Sequence, residues 1–194
     1  MNRESWLDSA LENMRPWFDN YGFPLPEKIM VSCGWPQHRG GKARAIGQCF
    51  DPVWTHDGTA HIFICPTLDT GIGVLAVLLH ELCHAAVGVT AGHSGPFVRI
   101  IRLLGLEGKA THTVCRTGTP LYADLVGLEA VLGDYPHSPM KKQKMAPTRP
   151  PGGGWVKFRS TVLGDRYILR VSPKSLADFG EPTDPFGYEM ETCP

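Results

Sequence analysis

The chain has 194 residues and a mass of 21.3 kDa, enough for one good core with a small appendage. Hydrophobic residues make up 42% and charged residues 20%, the balance of a globular chain. No apolar run long enough to cross a bilayer and no basic-then-apolar leader occur, so the sequence predicts neither a membrane span nor a signal peptide. The net charge of zero conceals a segregation: residues 1–137 balance at −3, residues 138–176 at +8, and the remaining tail at −5. Cys33, Cys49, Cys65, Cys83, Cys115 and Cys193 are scattered with no CxxC pair, which reads as reduced thiols in a cytoplasmic protein.

In chain order, Trp6, Leu7, Ala10, Leu11, Met14, Trp17 and Phe18 recur at helical spacing, and Gly22 and Pro24 end that helix. Three strands are expected at Ile29–Cys33, Ala45–Phe50 and His61–Cys65, the last closed by Pro66. The basic, glycine-rich GWPQHRGGKAR between the first two reads as a loop and lacks the pattern of a phosphate-binding loop. The apolar run from Ile72 to Val87 predicts a helix over about 70–88, capped by Asp69 or Thr70. Two more helices are expected, Phe97–Leu104 opened by Pro96, and Pro120 to about Leu132 capped by Thr119.

Residues 136–155 are rich in Pro, Gly and Lys and read as a linker after a domain at 1–135. In the element at 156–194, Val156–Val162 and Tyr167–Val171 predict a β-hairpin, and the acidic tail from Asp178 predicts little regular structure. The fold class is therefore α+β.

The chemistry concentrates in HELCH at 80–84. His80 and His84 lie one turn apart on one helix face. Glu81 sits about 100° round from His80, placed to hold an attacking water without being a ligand. This is the zinc-protease spacing. A lone histidine on an apolar helix is more often a core residue, so a third ligand decides the reading. His93 follows after a turn framed by Gly88 and Gly92, and it would leave a fourth position open. Glu107 and His112 are the reserve candidates for that place. Cys83 reads as a core residue. The set implies one Zn²⁺ per chain. The strand at 61–65 is expected to offer an exposed edge to an extended peptide. The sequence names no transition-state donor; His112 and Tyr122 are within reach from the following segments, and both read first as surface or packing residues.

HELCHAAVG at 80–88 followed by GHSGPF at 92–97 resembles the SprT-like zinc metallopeptidase family, whose motif pairs HExxHA with GHGxxF. The resemblance is to its short phage and bacterial versions and covers roughly residues 5–133. It implies a zincin-like core with His80, His84 and His93 as zinc ligands and Glu81 as catalytic acid/base, and it prefers His93 over Glu107 and His112. The implied function is zinc-dependent hydrolysis of peptide bonds in protein substrates, with narrow or conditional activity. The alternative is a zinc-containing adaptor or nucleic-acid-associated protein with little or no catalysis.

Two departures stand out. Ser94 replaces the motif's second glycine. Residues 164–190 are similar to the family's zinc ribbon without its cysteines, with Asp165, Arg166, Thr183, Asp184 and Pro185 where metal-binding pairs are expected. That element is expected to fold without metal around Trp155, Phe158, Tyr167, Leu169 and Leu176 and to dock on the catalytic domain. The basic segment 141–174 is a candidate for weak, non-specific, salt-sensitive DNA contact. No membrane partner is expected, and a monomer is the default.

Overall fold

The structure, a computed structural model, describes residues 1–36, 45–141 and 154–193. The glycine-rich loop at 37–44 and most of the predicted linker, 142–153, lie outside the described residues. The chain forms two compact units, Met1–Lys142 and Gln143–Pro194. The architecture is mixed α+β, with an N-terminal helix, small sheets and several further helices.

In the first unit, α1 (Arg3–Asn20) starts where the Asn2 side chain accepts a hydrogen bond from the Ser5 N–H. It buries Trp6, Leu7, Ala10, Leu11, Met14 and Phe18, the stripe expected from their spacing. Trp6 Nε1 donates to the Gly133 carbonyl at 2.8 Å, so this fully buried ring has its polar atom satisfied.

The strands are β1 (Ile29–Cys33), β2 (Gly47–Phe50) and β3 (Ala60–Ile64). β3 pairs parallel with β1 and antiparallel with β2, which gives the order β1-β3-β2. The strand at 61–65 is therefore central, and the expected exposed edge is not there. Both sides of its backbone are taken by neighbours. The outer strand on the site's side is β2.

Helix α2 (Gly71–Val87) is apolar nearly all round because it packs against β2, β3 and two later helices. Those are α3 (Pro96–Leu103) and α4 (Pro120–Leu132). Each has proline in its first turn, and Thr119 Oγ1 caps α4 by accepting from the Tyr122 N–H at 3.2 Å. Between them lies a hairpin the sequence reading did not foresee, β4 (Glu107–Lys109) with β5 (His112–Val114). Cys83 is fully buried, as expected of a core thiol, and all six cysteines are free.

The second unit is a three-stranded sheet of β6 (Val156–Ser160), β7 (Gly164–Val171) and β8 (Met190–Cys193), in the order β7-β6-β8. The tail thus carries a strand, and a short helix α5 (Pro173–Phe179) precedes it. Phe158 and Met190 are buried, Tyr167, Leu169 and Leu176 are half-buried, and Trp155 is exposed rather than part of the packing. Ser160 Oγ donates to Asp184 Oδ2 at 2.6 Å and accepts from the Val162 and Leu163 N–H groups. Asp184 Oδ1 accepts from the Phe186 and Tyr188 N–H groups. Two turns are each wound round a side-chain oxygen, and one charge-assisted hydrogen bond joins them. Asp184→Ala removes the acceptor for both the Ser160 hydroxyl and the second turn. It is expected to speed amide hydrogen exchange at Phe186, Tyr188 and Met190–Cys193. Unchanged exchange at those positions would show that the bond does not hold the sheet.

Candidate metal centre

Helix α2 supplies His80, Glu81 and His84 and ends at Val87. Its cap is Gly88, at φ 82°, where a side chain would be strained. A single 3₁₀ turn, Val89–Ala91, follows, and Gly92 at φ 56° redirects the chain. His93 is thereby carried back over the helix. Asp51, at the end of β2, ties this turn down: its Oδ2 accepts from the Val89 N–H at 3.3 Å, while Oδ1 caps the Pro52–Trp54 turn through the Val53 N–H.

One nitrogen from each of His80, His84 and His93 lies within 4.8 Å of the others, a set able to chelate a metal ion. His84 Nε2 and His93 Nε2 are 3.2 Å apart. Two nitrogens sharing a tetrahedral zinc at about 2.0–2.1 Å each stand about 3.3–3.4 Å apart. The His84–His93 pair has nearly that spacing, and three imidazoles suit zinc in chemistry. Phe97, fully buried at the start of α3, backs the cluster: it stacks on His84 at 4.1 Å between ring centroids and meets His80 and His93 edge-on.

The other candidates are placed differently. Glu107 pairs with Arg116 at 2.8 Å and does not line the cleft. His112 lines the cleft but is not one of the three clustered imidazoles. Tyr122 is not among the cleft residues.

The cleft has a volume of about 760 Å³ and runs between β2, α2 and the β4–β5 hairpin. Phe50, Trp54, Val77 and Val89 give it apolar walls. Glu81 is buried at its floor, where the Cys49 backbone N–H donates to its carboxyl. Gly47 permits this: a Cβ there would stand 2.6 Å from Glu81 Oε1 and 2.6 Å from Val77 Cγ1. Sequence reasoning missed Gly47, Asp51 and Thr113, because the contacts by which they shape the site, to Glu81, Val89 and His80, are with partners distant in sequence.

Burial dominates the electrostatics. It raises the Glu81 carboxyl to about 8, against a smaller downward pull from the Cys49 hydrogen bond. It lowers His80 to about 4, helped by His93 and His112, and His84 to about 3, helped by His80 and His93. His93 is lowered by burial as well. The three imidazoles are thus neutral, the state in which they bind metal. Burial, with Glu81 and Asp51 nearby, also pushes the Cys49 thiol up to about 12, so it is no nucleophile.

In the metal-free protein these shifts oppose one another. Below pH 6.5 the unfolded chain protonates its histidines, while folded His80 and His84 stay neutral down to about 4 and 3, so stability falls as pH drops. Above pH 4.5 the unfolded chain ionises Glu81, while the folded carboxyl stays protonated up to about 8, so stability falls as pH rises. Glu81→Gln is expected to abolish the decline between pH 6.5 and 8 and to keep the acid-side decline. Thermal denaturation of chelator-treated protein across that range checks it. A parent and variant with parallel profiles would contradict it.

No protein-family model matches this chain, and no match was found among curated proteins or among solved structures. The functional reading therefore rests on the site itself.

Proposed function

We propose that this protein is a zinc-dependent peptidase with a zincin-like core, related to the SprT-like family that its HELCHAAVG and GHSGPF segments resemble. The observation that carries the reading is the convergence of His80, His84 and His93 beside a buried Glu81 in one cleft. Zinc at such a centre supplies Lewis acidity toward a carbonyl and acidifies a water. Glu81 is the proton carrier: ionised beside a dication, it takes the proton of the attacking water and returns it to the departing amine. Ala45 to Phe50 line the cleft, so the outer strand β2 is the surface along which an extended substrate pairs. Phe50, Trp54 and Val77 then favour an apolar side chain on that substrate.

A second reading, a zinc-containing adaptor with little catalysis, is favoured by two observations. The Glu81 carboxyl is engaged by β2 and is raised to about 8 by burial, so it is protonated in the metal-free protein. In the second unit, Lys157 stands opposite Arg170 and Arg159 opposite Ile168, so basic groups share one sheet face, although Arg159 is also paired with Asp165 and Glu191. Such a face suits non-specific, salt-sensitive contact with nucleic acid. Lys142, Lys144 and Arg149 of the basic block lie outside the described residues.

The test uses zinc-loaded protein on casein and on DNA-bound proteins, with new peptide termini read by mass spectrometry. Termini made by the parent and not by Glu81→Gln support the peptidase. Their absence with zinc bound, together with oligonucleotide binding that fades with salt, supports the adaptor.

A further inference from the structure

We propose that Thr113 is a positioning residue of the metal centre, holding the His80 ring in the tautomer that ligates zinc through Nε2; this rests on the zinc reading above. Thr113 Oγ1 lies 2.8 Å from His80 Nδ1. An imidazole offers a metal only a nitrogen that carries no proton. A hydroxyl can donate or accept, but with Nε2 committed to a metal the ring proton would reside on Nδ1, 2.8 Å from Thr113 Oγ1, and be donated to it. The Nε2 lone pair is left for the cluster. His84 is held otherwise: its Nε2 faces His93, its ring stacks on Phe97, and its Nδ1 is buried without a hydrogen-bond partner. Of the two imidazoles on α2, only His80 is fixed through its far nitrogen.

Thr113 is itself fixed by the hairpin that bears it. Arg102 of α3 donates from Nη1 to the Leu106 carbonyl at 2.9 Å and from Nη2 to the Gly108 carbonyl at 2.7 Å. Gly108 has φ 87°, and a Cβ there would stand 2.9 Å from the His112 carbonyl oxygen, so glycine is needed to close the hairpin. The β4–β5 hairpin is thus clamped by a cation on α3, and its Thr113 hydroxyl meets His80 on α2. Outer partners of metal-bound histidines generally fix ring orientation in this way.

Thr113→Val keeps the side-chain shape and removes the oxygen, while Thr113→Ser keeps the oxygen. In full-length protein titrated with zinc against a chromophoric chelator, Thr113→Val is expected to bind about 10–100-fold more weakly than the parent. Thr113→Ser is expected to bind like the parent. A merely space-filling role would give the opposite ranking, with valine the better replacement. Nitrogen-15 NMR of the zinc-loaded parent gives a reading that needs no variant: the His80 proton is expected on Nδ1. Valine binding zinc as tightly as threonine, or a His80 proton on Nε2, would overturn the inference. A parent that binds no zinc at all would instead remove the metal reading on which it stands.

Discussion

Glu81→Gln is expected to retain the metal and to lose peptide hydrolysis by about 10²–10⁴-fold, the usual contribution of a positioned general base. The substitution is close to isosteric and leaves His80, His84 and His93 untouched. The buried floor of the cleft tolerates it because Glu81 is itself neutral there in the metal-free protein, with its carboxyl raised to about 8 by burial. A glutamine oxygen still accepts from the Cys49 N–H, so position is kept while basicity is lost. Matched zinc analysis and initial rates on casein separate the two effects. A variant that cleaves as fast as the parent would show that Glu81 is not the base.

Removing a ligand gives the other large effect. His84→Ala is expected to take zinc content from near one per chain to near zero. It also opens a space beside Phe97, because His84 is buried and stacked on that ring. His93→Ala is the cleaner companion, since His93 is exposed and meets Phe97 only edge-on. For the parent, free zinc at about a thousand times its dissociation constant should add about 4 kcal/mol to stability by mass action. Both variants should show thermal midpoints that no longer respond to zinc. A midpoint in His93→Ala that still rises with zinc as in the parent would assign the third ligand elsewhere.

Much of the first unit was legible because its signals are local. Thr119, Pro96 and Pro120 stand where helix ends need an acceptor or a fixed φ, and the apolar stripes of α1 and α2 run for several turns. The strand order was not legible. β3 lies between β1 and β2 because β1 and β3 pair in parallel across some thirty residues of sequence, and no local pattern encodes such pairing. The β4–β5 hairpin escaped notice because Glu107–Lys109 and His112–Val114 have no hydrophobic alternation; Arg102 and Gly108 hold it instead. β8 was hidden in the acidic tail because its pairing with β6 and the burial of Met190 create it. At the site, the HELCH spacing and the following glycines pointed to the three histidines, whereas Gly47, Asp51 and Thr113 emerge only when distant segments meet.

Zinc-edge X-ray absorption on protein purified without a histidine tag reads the centre itself. One zinc per chain is expected, with three imidazole nitrogens at about 2.0–2.1 Å and a light fourth ligand. Thiolate scattering at about 2.3 Å would place the metal on the free cysteines instead. Folded protein that takes up no zinc would contradict the centre at His80, His84 and His93 altogether.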